Sequence, residues 1–231
     1  MNNLDKLQSN TSLKFKDEHN LWQALVHRSF LNENKDQKME SNERLEFLGD
    51  AILELWISDT LFKKFPEFKE GDLTNLRSLI VCTTNLAKVA QKINLGEFIF
   101  LSKGEETHGG RENQSILADT FEALIGSIFL DQNLAAVSKF LSKFLNPSIE
   151  YYSSQKIYKD PKSIFQEIAQ AEKGITPHYQ TLKESGPDHK KIFKVGLYLN
   201  EELVTTGQGP SKQRAEEDAS VKATKIFTNL V

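Results

Sequence analysis

The first part of the chain has apolar residues at helical spacing. Up to about Leu145 they recur every three or four positions in long stretches, rather than at every second position. Short polar or glycine-containing segments separate these stretches, at Asn32 to Gln37, Gly71, Gly96 and Gly109-Gly110. The pattern predicts an all-helical domain.

A different pattern follows in the last third of the chain. Pro161 to Glu172 has helical spacing with proline near its start. Three short alternating runs come next, and the spacing is helical again from Ser211 to Leu230. The runs cover His178 to Lys183, Lys191 to Leu199 and Leu203 to Gln208. This α-β-β-β-α order predicts a small α+β domain with helices on one face of a sheet.

The expected junction lies between these two patterns. Asn146-Pro147 is predicted to end the last helix of the first domain, and the polar segment Tyr151 to Asp160 favours a linker with a boundary near residue 157. The predicted organisation is therefore a helical domain over 1–146, a linker over 147–157 and an α+β domain over 158–231.

Composition limits the possible compartment more than the possible ligand. The 231 residues include one cysteine, Cys82, and no apolar run that could span a bilayer. We therefore expect a cytoplasmic protein without a membrane association. The net charge of −3 gives no indication of a nucleic-acid partner, although the acidity is concentrated in residues 1–156, with 18 basic against 22 acidic side chains.

Three carboxylates share one stripe of a predicted helix that begins near Asn42. At 100° per residue Glu43, Glu46 and Asp50 lie at about 0°, 300° and 340°. Apolar residues point in nearly every other direction, so we expect this helix to be mostly buried. Like charges in such surroundings are costly unless they pair, take up protons or bind a cation.

A second predicted helix, Ser115 to Gly126, repeats the arrangement with Asp119 and Glu122 one turn apart. Acidic residues on helices are usually solvated, but the apolar neighbours here indicate that these carboxylates are buried. Two helices that present only oxygen ligands suit a hard cation such as Mg²⁺ or Mn²⁺. The sequence therefore predicts a divalent metal site.

Other candidate chemistry has less support. Glu70 could be a further site carboxylate or part of a loop and helix cap, because Asp72 could cap a helix from Leu73 to Gln91. The five histidines lack metal-ligand spacing, and His27 is expected to be a hydrogen-bonded structural residue. Cys82 is interpreted as an inert core thiol within a helix. No phosphate-binding loop is present in the sequence, so no nucleotide cofactor is expected.

The segment Asn42 to Asp50, NERLEFLGD, resembles the signature of the ribonuclease III family. Further segments agree with bacterial members of that family in order along the chain: ALVHRSF from Ala24, EGDL from Glu70, Leu76-Arg77, Gly109-Gly110 and SILADTFEALIG from Ser115. The α-β-β-β-α tail is similar to the double-stranded-RNA-binding domain of the same family. The resemblance covers nearly the whole chain.

The resemblance implies a Mg²⁺-dependent endoribonuclease specific for double-stranded RNA, with Mn²⁺ as a possible substitute. It assigns Glu46, Asp119 and Glu122 as metal ligands, and Asp50 and Glu122 as the essential catalytic carboxylates. Such a site suits phosphodiester hydrolysis by water, because a metal can activate the water and offset the charge that develops on the phosphate.

The resemblance also implies features beyond these four carboxylates. Glu43 and Glu70 would lie in the same acidic valley. The family implies a homodimer whose two sites cut both strands, leaving 5′-phosphate and 3′-hydroxyl ends with two-nucleotide 3′ overhangs. Its expected substrates are ribosomal-RNA precursors, with messenger- and transfer-RNA precursors in addition.

The tail carries three regions that are similar to the family's RNA contacts. Their residues are Gln166 and Glu167 in the first helix, Gly186 to His189 with Pro187 and His189 as contacts, and Ser211, Lys212 and Arg214 before and within the last helix. The usual pair of adjacent basic residues is replaced here by Lys212-Gln213-Arg214. This departure leaves open whether Arg214 faces a phosphate.

Two rival functions differ from this expectation in class. A non-catalytic RNA-binding relative should have lost one or more of Glu46, Asp50, Asp119 and Glu122, yet all four are present. An unrelated acidic metal protein joined to an RNA-binding module would not be expected to match the family segments in order.

Overall fold

The computed structural model describes residues 3–34, 40–156, 158–187 and 191–228. These residues form two compact units, Met1–Tyr158 and Lys159–Val231. The first unit is helical and the second combines helices with a sheet, so the predicted fold class is confirmed.

The first unit contains nine α-helices within the described residues. They are α1 (Asn3–Thr11), α2 (Glu18–Ala24), α3 (Arg28–Glu33), α4 (Glu43–Lys64), α5 (Glu70–Val81), α6 (Thr83–Lys92), α7 (Lys103–Thr107), α8 (Gln114–Asp131) and α9 (Leu134–Ser154). Two short 3₁₀ helices, Leu95–Phe98 and Gly110–Glu112, complete the unit.

Helix α8 lies at the centre of the first unit. Its segment from Ile116 to Ile128 is buried except at Asp119 and Glu122, which are only half-buried. Phe121, Leu124 and Ile125 are fully buried in a core that all the longer helices share. A helix with apolar residues on nearly every side is stable only when other elements surround it.

Helices α4 and α8 approach each other closely at two glycines. A Cβ atom at Gly49 of α4 would lie 1.7 Å from the Glu122 carbonyl oxygen, and one at Gly126 of α8 would lie 2.3 Å from the Leu45 carbonyl oxygen. Any larger residue would push the two backbones apart. The glycines therefore fix the separation of the helices that carry the acidic residues.

The expectation that α4 is mostly buried is wrong for one of its faces. Phe47, Leu55 and Phe62 have exposed fractions of 80%, 60% and 71%. The opposite face, which includes Leu53 and Ile57, is fully buried. The apolar residues around α4 predicted burial on every side of this helix. Some of them instead form an exposed apolar face.

The predicted helix break at Asn146-Pro147 is also wrong, and the linker expected over 147–157 is largely helical. Helix α9 contains Pro147 and ends at Ser154. A proline within a helix removes one backbone hydrogen bond. Here the helix continues because Leu145 and Ile149, on either side of Pro147, are fully buried in the core.

The segment expected to form one helix from Leu73 to Gln91 forms two. Helix α5 begins at Glu70 after Lys69, so Asp72 lies in its first turn instead of capping it. Cys82 has extended backbone angles between α5 and α6, and it is half-exposed, unlike a core thiol within a helix. The buried Asn85 side chain donates a 2.7 Å hydrogen bond to the Ile80 carbonyl oxygen, which stabilises this break.

The second unit has the predicted α-β-β-β-α order. Its elements are α10 (Pro161–Lys173), β1 (His178–Ser185), β2 (Ile192–Leu199), β3 (Glu202–Gly209) and α11 (Lys212–Thr228). The strands form an antiparallel sheet in the order β1-β2-β3. Each strand lies close to the run that predicted it.

One face of this sheet packs against both helices. Phe165 of α10, Leu197 of β2 and Ala219 of α11 are fully buried in the shared core. Two glycines of β3 let α11 lie directly on the sheet, because Cβ atoms at Gly207 and Gly209 would be 2.0 Å and 2.8 Å from backbone atoms of Ala215. The start of α11 is therefore fixed beside the strand ends.

None of the helices in the described ranges combines the length and the apolar character that crossing a membrane requires.

The α4–α8 contact gives a direct stability test. Gly126→Ala should destabilise the first unit by ~1–3 kcal/mol or more, because the added methyl group would overlap the Leu45 carbonyl oxygen. Gly71→Ala is the matched control, since a Cβ there meets no atom within 4 Å and alanine is the better helix former. Thermal unfolding checks both variants, and equal midpoints would contradict the proposed close packing.

Candidate active site and RNA-binding surfaces

Two helices place the acidic side chains that the sequence singles out. Glu46 and Asp50 are one turn apart on α4, and Asp119 and Glu122 are one turn apart on α8. The Asn113 side chain accepts hydrogen bonds from the amides of Ser115 and Ile116, and so caps the start of α8. This cap fixes where α8 begins, and the contacts at Gly49 and Gly126 fix which side of α8 faces α4.

Three of the carboxylates converge. Single oxygen atoms of Glu46, Asp119 and Glu122 lie within 4.8 Å of one another, and all three side chains are half-buried. A set of carboxylate oxygens is the ligand chemistry of hard divalent cations such as Mg²⁺. The residues present therefore fit a metal of this kind.

Burial and mutual repulsion make these carboxyl groups difficult to ionise. Burial, with the charges of Asp50, Asp119, Glu46 and Glu54, raises the pKa of Glu122 to about 8. Burial also raises the pKa values of Glu46 and Asp119, and neighbouring carboxylates add to the effect at Glu46. A divalent cation would remove this electrostatic cost.

Asp50 and Glu43 belong to the same surroundings but are exposed, although the sequence predicted that they lie on a mostly buried helix. The charge of Asp50 raises the pKa values of both Glu46 and Glu122. Glu43 accepts a 2.8 Å hydrogen bond from Ser41 and lies 3.7 Å from Arg28. Asp50 is thus close to the cluster and accessible to solvent.

A polar cavity of about 500 Å³ opens beside the cluster, with Glu46, Asp119 and His27 among its lining residues. Nδ1 of His27 accepts a hydrogen bond from the Ser29 amide, caps α3 and lies 2.8 Å from Ser29 Oγ. Burial lowers the pKa of His27. The ring is thus hydrogen-bonded, as expected, and it also lies at the edge of the acidic site.

The structure does not bring Glu70 to the three-carboxylate cluster of its own chain. Glu70 is exposed at the start of α5 and lines a separate small cavity with Ser58, Phe62 and Arg77. Ser58 is twelve residues beyond Glu46 on α4, which corresponds to ~18 Å along a helix.

Two further acidic residues influence the site and were not selected from the sequence. Glu54 raises the pKa of Glu122 and is ion-paired with Arg77 at 3.1 Å. It lies at about 20° on the same helical wheel as Glu43, so its spacing could have identified it. Glu105, whose charge acts on His27, comes from α7 and has no comparable signal in the sequence.

The predicted RNA contacts are exposed wherever the structure describes them. They are Gln166, Glu167, Pro187, Ser211, Lys212 and Arg214. His189 lies outside the described residues. Four of the six also form contacts within their own unit. Ser211 Oγ accepts a hydrogen bond from the Arg214 amide at the start of α11, and Glu167, Lys212 and Arg214 form ion pairs with Lys159, Glu184 and Glu217 at 2.8, 3.3 and 2.8 Å.

Comparisons with known proteins agree with this arrangement. Residues 17–149 match the family model described as Ribonuclease-III-like, and residues 161–226 match the Double-stranded RNA binding motif. The chain belongs to the ribonuclease III family. It is accordingly an endoribonuclease of double-stranded RNA, and its second unit is a double-stranded-RNA-binding domain.

Relatives of this ribonuclease III family member match over most of its length. The Ribonuclease 3 of Pelotomaculum thermopropionicum is 44% identical over 95% of this chain and 91% of its own. That of Natranaerobius thermophilus is 46% identical over 88% of each chain. A solved nuclease domain of ribonuclease III from Campylobacter jejuni covers 63% of this chain and 97% of its own, with 41% identity and a TM-score of 0.58. Its description concerns flexibility in the region involved in dimer formation.

The raised pKa of Glu122 predicts a pH-dependent stability for this ribonuclease III family member without metal. Between the ordinary value of 4.5 and about 8, the folded chain retains a proton at Glu122 that the unfolded chain has lost. Stability should therefore fall as pH rises through this range. Glu122→Gln removes the ionisable group, so in EDTA the variant should melt above the parent at pH 8.5 and close to it at pH 4.5.

The exposed Glu150, which forms a 3.5 Å surface ion pair with Lys64, provides the control. Glu150→Gln should leave the parent's pH dependence unchanged. If Glu122→Gln and the parent differed by the same amount at both pH values, Glu122 would not have the raised pKa.

Proposed function

We propose that the chain hydrolyses double-stranded RNA in a Mg²⁺-dependent reaction that leaves 5′-phosphate and 3′-hydroxyl ends. The convergence of Glu46, Asp119 and Glu122 oxygens within 4.8 Å carries this proposal, because it supplies one set of hard-ion ligands at the α4–α8 contact. These three residues would hold Mg²⁺, or Mn²⁺ in its place.

The remaining carboxylates would serve the attacking water and the substrate. A bound divalent cation would lower the pKa of a water molecule and offset charge on the scissile phosphate. Asp50 is exposed beside the cluster, where it can accept a hydrogen bond from the attacking water and orient it. Glu122 would act with Asp50 as the second catalytic carboxylate, and Glu43 and Glu70 would contribute to the acidic surface around the duplex.

Glu122→Gln tests this assignment. The variant keeps the shape of the side chain but loses the charge, so cleavage with Mg²⁺ should fall at least ~100-fold while duplex binding in EDTA stays near the parent value. A cleavage assay on a long RNA duplex and a binding titration measure the two effects. Glu150→Gln should cleave at the parent rate, and parent-rate cleavage by Glu122→Gln would refute the site.

We also propose that the active form is a homodimer. The uncovered apolar face of α4, with Phe47, Leu55 and Phe62, supports this, because contiguous exposed apolar surface commonly marks an interface. The Campylobacter jejuni nuclease domain has a region involved in dimer formation. Two chains related by two-fold symmetry would supply two sites and cut both strands with two-nucleotide 3′ overhangs.

Phe62→Glu tests the dimer. A charge on the uncovered face of α4 should shift the protein towards monomer, since burying it in an interface is unfavourable. Sedimentation measures the change. Ile226→Glu alters another exposed apolar residue, in the RNA-binding domain, and should leave the mass unchanged. A Phe62→Glu variant that remains dimeric at low micromolar concentration would contradict the proposed interface.

The second unit would bind the duplex that the first unit cleaves. Its exposed Gln166, Glu167 and Pro187, together with His189, would contact minor grooves, while Ser211, Lys212 and Arg214 would contact the phosphates between them. We propose that the natural substrates are ribosomal-RNA precursors and structured messenger- and transfer-RNA precursors. We further propose a cytoplasmic location, which the RNA substrates and the single cysteine support.

A further inference from the structure

Two lysines in the RNA-binding domain converge on a single carboxylate. Lys191 Nζ lies 3.3 Å from one oxygen of Glu184, and Lys212 Nζ lies 3.3 Å from the other. Glu184 is near the end of β1, Lys191 immediately precedes β2, and Lys212 begins α11. One acidic side chain therefore links the β1–β2 hairpin to the helix that carries a predicted phosphate contact.

An aromatic ring completes this cluster. Phe193 is the cross-strand partner of Glu184, so the two side chains lie on the same face of the sheet. Lys191 Nζ and Lys212 Nζ lie 5.8 Å and 5.9 Å from the centre of the Phe193 ring. A ring at this distance attracts an ammonium group. Each lysine is thus held both by a carboxylate oxygen and by the same ring.

The backbone of α11 determines where Lys212 can reach. Phe193 pairs with Gly209 of β3, and a Cβ atom at Gly209 would lie 2.8 Å from the Ala215 amide nitrogen. Because Gly209 lacks that atom, the first turn of α11 lies against the strand end next to Phe193. Lys212 consequently reaches Glu184 from a helix start that packs against the sheet.

The charges of the cluster leave a net positive site that is open to solvent. Two ammonium groups and one carboxylate sum to +1, and the Lys212 side chain is 58% exposed. The lysines hold the pKa of the Glu184 carboxyl below its ordinary value, so this group stays ionised at neutral pH. Its charge reduces the repulsion between two lysines that would otherwise turn away from each other.

Arg214 is held in a different way. Its guanidinium lies 2.8 Å from one Glu217 oxygen, and Gln213 Nε2 donates a 3.0 Å hydrogen bond to the other. Glu217 belongs to the same helix as Arg214, and its side chain is only 17% exposed. The residue that follows Lys212 in α11 is the neutral Gln213. The second positive charge next to Lys212 therefore comes from Lys191 of the hairpin.

We propose that Glu184 is a positioning residue that holds Lys191 and Lys212 as a paired binding site for the phosphates of duplex RNA. This proposal rests on the duplex binding assigned to the second unit. A long lysine side chain loses much rotational freedom when it binds, and this loss is smaller when contacts already fix its direction. Lys191 thereby supplies the second basic contact that Gln213 does not.

The proposal predicts an effect opposite in sign to that of charge alone. Removal of an acidic group from an RNA-binding surface should normally tighten binding to a polyanion. If Glu184 positions the lysines, Glu184→Gln should instead raise the Kd for a duplex about 3–10-fold. Lys191→Ala should raise the Kd by a similar factor and lower the slope of log Kd against log salt concentration by about one.

The experiment uses the full-length chain in EDTA, so that the RNA is bound but not cut. Titrations of a perfect RNA duplex at several salt concentrations compare the parent, Glu184→Gln, Lys191→Ala, the double variant Lys191→Ala with Lys212→Ala, and that double variant with Glu184→Gln added. Glu201→Gln and Lys225→Ala are matched controls, because these exposed residues lie at the opposite ends of the sheet and of α11. Thermal melting of each variant reports on folding.

The effect of Glu184→Gln on duplex binding should change sign between the parent chain and the variant that lacks both lysines. Glu184→Gln should weaken binding when both lysines are present and strengthen it when both are absent, with an unchanged melting midpoint. Tighter or unchanged binding in the parent background would overturn the proposal, and so would equal weakening in both, which would indicate a purely structural role. A parent chain that binds no duplex at low salt would instead overturn the proposed function.

Discussion

The close contact between α4 and α8 is the constraint on which the acidic site depends. At Gly49 and Gly126 the backbone of one helix lies where a side chain of the other would normally begin. This approach brings Glu46 within reach of Asp119 and Glu122, although Glu46 and Asp119 are more than seventy residues apart in the chain. Without it, each helix would carry ordinary acidic residues on a half-buried surface.

This arrangement has an electrostatic cost that its proposed function explains. Half-buried carboxyl groups that repel one another have raised pKa values, and that of Glu122 reaches about 8. Strongly shifted carboxyl groups often mark functional sites, where a cation or substrate compensates for the repulsion. The net charge of −3 is therefore a poor guide to the ligand, because part of the acidity serves a proposed metal instead of repelling RNA.

Local patterns predicted the elements well and tertiary contacts poorly. Helical spacing placed Glu46 and Asp50 on one stripe, and it could also have identified Glu54. It could not show that α9 continues through Pro147 or that Phe62 of α4 is exposed. Both features depend on which helix surfaces pack against other elements, and helical spacing does not contain that information. The ion pair between Lys212 and Glu184 could not be predicted from local sequence either, because it joins a helix start to a distant hairpin.

We propose above all that the α4–α8 carboxylates support metal-dependent cleavage of double-stranded RNA. The most direct measurement is incubation of a long perfect RNA duplex with the chain in Mg²⁺ or in EDTA, followed by analysis of the product ends. We expect short duplexes with 5′-phosphates and two-nucleotide 3′ overhangs in Mg²⁺, and intact RNA in EDTA. Equal cleavage in EDTA, or faster cleavage of single-stranded RNA than of the duplex, would contradict it.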